Sequence, residues 1–149
     1  MSVCKIQFMR YFISVVGLSF LLIFFTGCQK REENHSTTLD GEWELRQIRA
    51  NLTLNFEPGN GKVLKFTGSH YEVSSNGQIT SSGTYEVVPD LTAETELGIS
   101  ITGDQYVNRI IFEDSTDSKI FYELSGNKLT FGKGFFPLDG GSFTEYTRK

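Results

Sequence analysis

The chain has 149 residues, a formal charge of −4, one tryptophan and two cysteines. That length suits a single domain. The acidic balance speaks against nucleic acid, which asks for a basic face. At the N-terminus, Met1 to Arg10 carries Lys5 and Arg10 and no acid, and Tyr11 to Phe25 is then apolar apart from Ser14, Gly17 and Ser19. A basic start, an apolar run of about 7–15 residues and small residues at its end describe a secretory signal. The run falls short of the roughly 20 residues a spanning helix needs. Residues 1–27 therefore read as a signal peptide.

Phe25-Thr26-Gly27-Cys28 resembles the lipobox of bacterial lipoproteins: an apolar residue, two small ones, then Cys. The resemblance implies that Cys28 becomes the first mature residue and that its thiol carries diacylglycerol. Each buried acyl methylene adds about 0.8 kcal/mol of membrane affinity, so two or more chains hold a protein stably. Gln29 follows, not the Asp that would resemble an inner-membrane retention signal. The expected location is thus the outer membrane of a Gram-negative bacterium, lipid-anchored, with either face open. Cys4 would leave with the signal and Cys28 be consumed by lipid, so packing and hydrogen bonds must carry stability. Without Lys5 and Arg10, 12 basic residues face 18 acidic ones. Residues 28–38 are polar after the cysteine, with Lys30-Arg31-Glu32-Glu33 near their head, and read as a flexible tether.

From Leu39 onward the hydrophobic period is two. Trp43 and Leu45 alternate with Glu42, Glu44 and Arg46. The alternation continues through Leu52, Leu54 and Phe56, then Leu64 and Phe66, Tyr71 and Val73, and Tyr85 and Val87. It resumes at Ile99 and Ile101, Ile110 and Phe112, Ile120, Tyr122 and Leu124, Leu129 and Phe131, and Tyr146. One apolar and one polar side predicts strands with one wet face. Turn chemistry falls between them at Pro58-Gly59-Asn60-Gly61, Gly68-Ser69, Asn76-Gly77, Pro89-Asp90, Gly103-Asp104, Gly126-Asn127 and Gly140-Gly141. Asn-Gly is the strongest hairpin signal, because a type I′ turn needs φ > 0 at both central residues. Helical periodicity is limited to one turn at Ala93 to Leu97. Short links make consecutive strands neighbours, and closing such a meander removes two sticky edges. The prediction for residues 39–149 is an all-β, small up-and-down antiparallel β-barrel of about eight or nine short strands.

Leu39-x-Gly41-x-Trp43-x-Leu45, Ser82-Gly83-Thr84-Tyr85 and the terminal Glu145-Tyr146-Thr147-Arg148 together resemble bacterial lipocalin-like lipoproteins across the whole folded part. The resemblance implies that Arg148 packs across Trp43 and closes the barrel floor. Gly41, Trp43 and Arg148 are the expected closure residues, Gly41 letting a neighbouring backbone pass the indole. Independently, Trp43 and Arg148 lie in phase with the inward residues of the first and last strands, which must meet if the meander closes. A guanidinium over an indole contributes about 0.5–2 kcal/mol. The chain lacks the length for the helix that secreted lipocalins carry near the C-terminus, so closure carries over more securely than cargo.

The sequence holds little chemistry. His35 lies in the tether, leaving His70 as the domain's one imidazole, and one His without Cys or a second His makes no zinc site. Asp114-Ser115-Thr116-Asp117 lacks the Gly and terminal Glu of a calcium loop. Neither a metal nor a cofactor is expected, and the chain reads as a non-enzyme. A ligand site is expected among the inward rings Phe66, Tyr71, Tyr85, Phe112, Tyr122 and Phe131, an apolar cup with a few phenols suiting a small hydrophobic molecule. The alternative is that these rings fill the barrel, leaving a non-enzymatic envelope interaction or structural module whose protein partner the sequence does not identify. Phe135-Phe136, adjacent aromatics between Gly134 and Pro137, could lid the mouth, meet a partner or tuck beneath their loop.

Overall fold

The structure, a computed structural model, describes residues 38–149 apart from 114, 116, 117 and 139. The expected signal peptide, Cys28 and the expected tether up to residue 37 lie outside the described residues, as do three of the four residues of the calcium-like run. Among the described residues nine strands form: β1 (Gly41–Arg49), β2 (Thr53–Asn55), β3 (Lys62–Thr67), β4 (His70–Ser75), β5 (Gln78–Pro89), β6 (Asn108–Phe112), β7 (Ile120–Ser125), β8 (Lys128–Lys133) and β9 (Ser142–Arg148). From β3 onward each pairs antiparallel with the next, and β1 pairs with both β3 and β9. Eight strands thus close an up-and-down barrel of the lipocalin-like kind, and β2 adds a flap to the second half of β1.

Local chemistry explains the hairpins. Asn76 and Gly77 have φ of 52° and 81°, the two left-handed residues of a type I′ turn between β4 and β5. Gly68 and Gly126 hold φ of 58° and 60° at the first position of two-residue loops, where type II′ turns want glycine. The β1–β9 register shifts between Leu45 and Gln47, so Arg46 is a bulge residue. The shift sets Ile48 opposite Thr144, while Arg49 faces Phe143.

Several expectations need correction. The run Leu52, Leu54 and Phe56 does not face the core. Leu52 and Leu54 are 76 % and 52 % exposed, because β9 already occupies the other edge of β1 and β2 is added outside the barrel circuit. Phe56 sits beyond the strand, with the Lys62 ammonium 5.8 Å from its ring. Ile99 and Ile101 belong to no strand. They lie in a long connection, residues 90–107, which holds the one-turn helix α1 (Ala93–Leu97) and packs on the outer wall of the barrel.

That connection builds a second core. Ala93, Leu97 and Tyr106 cover Phe121 of β7 and Phe143 of β9, with Ile99, Ile101 and Phe136 at its border. Strands β7 and β9 therefore each bury one outward ring, Phe121 and Phe143, against the expected single wet face. Gly132 makes this possible: a Cβ there would stand 2.9 Å from the Phe143 ring and 3.0 Å from Leu97. Of the Phe135-Phe136 pair, Phe136 tucks into the same layer and Phe135 stays 42 % exposed. Phe136 meets Phe143 edge-on at 5.3 Å, and Phe135 covers Gly98. Glu44, expected on the wet face, is buried. Its carboxylate accepts from Gly59 N at 3.0 and 3.1 Å and pairs with Arg46 at 2.7 Å. The Gly59 hydrogen bond, against the opposing effect of burial and aided by the Arg46 charge, holds its carboxyl below the usual carboxylate range.

Candidate functional site: a sealed floor beneath a half-filled barrel

The floor is assembled at the start of β1. Trp43 is 0 % exposed and stands opposite Arg148 in the β1–β9 ladder. The guanidinium carbon lies 4.3 Å from the indole centroid. Its Nη1 and Nη2 donate to the carbonyls of Asp40 and Thr38 at 2.7 and 2.8 Å, so Arg148 also ties down the entering chain. The indole Nε1 donates to Leu39 O at 2.7 Å, satisfying its one polar atom inside the core. Gly41 has φ of 127°, and a Cβ there would meet Arg148 Nη1 at 2.8 Å. Gly41 thus makes room for the arginine side chain, where the sequence suggested a passing backbone. Two further ties complete the floor: Gly68 N donates to Asp40 Oδ1 at 2.8 Å, and Tyr85 Oη donates to Gly68 O at 2.7 Å.

Above the floor the inward rings separate into two groups. Phe66 is fully buried and meets Tyr85 edge-on at 4.8 Å. It also stacks on Phe112 at 6.4 Å, and Phe66 and Tyr85 fill the lower barrel beneath that ring. The expected wall of six rings narrows to three, because Phe66, Tyr85 and Tyr122 do not border the void. Tyr122 instead borders a separate, more polar hollow of about 440 Å³ beside residues 104–108. Tyr71, Phe112 and Phe131 do line a cavity of about 330 Å³ in the upper barrel, together with Leu64, Val73 and Ile120. Tyr146 completes its apolar lining, and burial pushes that phenol up to about 12.

The rest of the lining was missed in the sequence. Lys133, Ser142, Thr144 and Ser115 border the same cavity. In register, Lys133 pairs with Ser142, Phe131 with Thr144, and Leu129 with Tyr146. Since directly opposed residues share a face, these pairs descend from mouth to floor, and the inward column turns from polar to apolar on the way down. Strict period two from Leu129 and Phe131 leads to Lys133, and from Arg148 and Tyr146 to Thr144 and Ser142, so the signal lay in the phase. Reading only apolar residues as inward hid it.

The cavity sets apolar walls beside the hydroxyl-bearing residues Ser115, Ser142 and Thr144. Among the described residues no three His, Cys, Asp or Glu side chains gather as metal ligands, and His70 is exposed. Compared with known proteins, the chain matches no family model, and no curated protein or solved structure matches it.

Proposed function

We propose that this protein is a membrane-anchored lipocalin-like lipoprotein that binds or carries a small hydrophobic ligand and has no enzymatic activity. The observation that supports this reading is the apolar cavity in the upper barrel. Its volume of about 330 Å³ lies at the small end of the roughly 300–1,000 Å³ typical of ligand pockets. The anchor rests on the resemblance of Phe25 to Cys28 to a lipobox, and the expected location remains the outer membrane of a Gram-negative bacterium. The tether would meet the barrel at its floor, where Thr38 and Leu39 are bound by Arg148 and Trp43.

Native mass spectrometry of the full-chain protein, with solvent extraction of what co-purifies, tests ligand carriage. An apolar molecule bound one to one, and lost on Thr144→Trp, is the expected result. A protein that neither co-purifies with nor takes up any apolar molecule would end the reading. One feature favours a second reading, an envelope interaction module: the exposed Leu52 and Leu54 on the β2 flap. Under that reading Leu52→Ser with Leu54→Ser abolishes partner capture while leaving the cavity empty.

A further inference from the structure

Seven asparagines occur in the chain, and two of them, Asn60 and Asn76, precede glycine. That dipeptide carries chemistry of its own. With no Cβ to crowd it, the glycine nitrogen can reach the asparagine amide carbon and close a five-membered ring. The other five asparagines precede His, Leu, Phe, Arg or Lys, whose side chains hinder that attack. The fold gives the two Asn-Gly pairs opposite surroundings. Asn60 is locked: its Nδ2 donates to Leu45 O at 2.8 Å and to Glu57 O at 2.7 Å, and its Oδ1 accepts from Lys62 N at 2.9 Å. The nitrogen that would attack is engaged as well, because Gly61 N donates to the buried Glu44 carboxylate. Asn76 and Gly77 are exposed at the tip of the β4–β5 hairpin. Among the described residues no hydrogen bond holds the Asn76 side chain or the Gly77 N–H. The tip is tied through the main chain instead, Asn76 N donating to Gly61 O at 2.8 Å. We propose that Asn76 is a site of backbone-assisted self-modification, converted to aspartate and isoaspartate, and that the fold protects the identical dipeptide at Asn60.

The reaction balances with water as its one co-reactant. Gly77 N gives up its proton and attacks Asn76 Cγ; the new C–N bond forms, the Cγ–Nδ2 bond breaks, and the amide nitrogen leaves with that proton as ammonia. Water then opens the ring at either carbonyl. Cleavage of the new bond leaves a normal main chain with an aspartate side chain. Cleavage of the original peptide bond sends the chain through Cβ and Cγ, one carbon longer, and frees an α-carboxylate. Either product sets a new negative charge on the tip. The longer chain also cannot keep the paired left-handed residues, φ of 52° and 81°, on which this turn depends. Ring closure needs the tip to open first, and an exposed tip opens far more readily than packed structure. At Asn60 the same opening must break three side-chain hydrogen bonds and strip a donor from Glu44.

The test is incubation of the full-chain protein at mildly alkaline pH in water enriched in heavy oxygen, followed by peptide mapping on a mass spectrometer. Heavy oxygen is expected at residue 76, with isoaspartate among the products. Labelling at residue 60 should be slower by about tenfold or more, because its hydrogen bonds must break before the ring can close. Protein unfolded in guanidinium should lose that difference and label both sites at comparable rates. Asn76→Gln, whose longer side chain would have to close a six-membered ring, should stop labelling at residue 76 and leave residue 60 as in wild type. Equal labelling of the two sites in the folded protein, or faster labelling at residue 60, would overturn the proposal. So would an Asn76 that stays unlabelled while the unfolded chain reacts there, or a difference between the sites that persists in guanidinium.

Discussion

Replacing Gly41 with alanine tests the floor at its tightest point. The substitution meets two separate obstacles: φ of 127°, which L side chains rarely adopt, and the Arg148 Nη1 atom at 2.8 Å from the new Cβ. A non-glycine residue in a sparsely populated backbone region costs about 1–3 kcal/mol. Pushing the guanidinium off the indole forfeits up to about 0.5–2 kcal/mol more. Gly41→Ala should therefore lose about 2–4 kcal/mol in urea unfolding followed by circular dichroism, with the slope against denaturant unchanged. A double-mutant cycle separates the causes. In an Arg148→Met background the steric part is relieved, so the loss on Gly41→Ala should shrink toward the backbone cost alone, giving a coupling of about 0.5–2 kcal/mol. A loss under about 0.5 kcal/mol for the single variant, or strict additivity in the cycle, would refute the argument that Gly41 exists to admit Arg148.

Other expectations follow from the same structure. Phe121→Ala should destabilise by about 3–5 kcal/mol, as other large-to-small core changes of Phe do, although it lies on the barrel's outer face, because α1 and Phe143 bury it completely; a loss below about 1 kcal/mol in the same assay would mean the 90–107 connection is not packed there. Glu44, Asp90 and Glu113 have carboxyls held below their ordinary values, chiefly by hydrogen bonds from Gly59, Thr92 and Thr84 respectively. Their contribution is present above the ordinary value of about 4.5 or 3.8 and is lost as pH falls through the lowered folded values. Glu44→Gln should accordingly be less stable than wild type at neutral pH and converge with it in acid; a constant gap down to pH 3 contradicts this. Tyr106 and Tyr146 are pushed up to about 12 by burial, so their contribution is complete below pH 10 and disappears as pH rises toward 12. Ultraviolet titration should find these two phenols ionising last, and ordinary titration of every tyrosine would refute their burial.

Much of this architecture was legible in residues that act locally. Asn76-Gly77 dictates its own turn, and the Gly-x-Trp start with a terminal arginine marks the two strands that must meet. What escaped was built by contacts distant in sequence. Glu44 looks like a wet residue until Gly59 folds over it. Ile120-Phe121-Tyr122 breaks the alternation because residues far upstream supply a second core for Phe121; the continuous apolar run was the available sign, as strands buried on both faces read that way. The candidate site divided along the same line. Tyr71, Phe112 and Phe131 were visible as inward rings, but which rings pack and which border a void depends on how Phe66, Tyr85 and Phe112 stack. Lys133 was hidden by its charge, although its phase placed it with Phe131.

The most direct measurement of where a ligand sits is an isotope-filtered nuclear Overhauser experiment on labelled protein with unlabelled decanol. The account predicts contacts from the terminal methyl to Leu64, Phe131 and Tyr146, and from the hydroxyl-bearing carbon to Ser142. Contacts confined to the exposed Leu52 and Leu54, or none within the barrel, would contradict it.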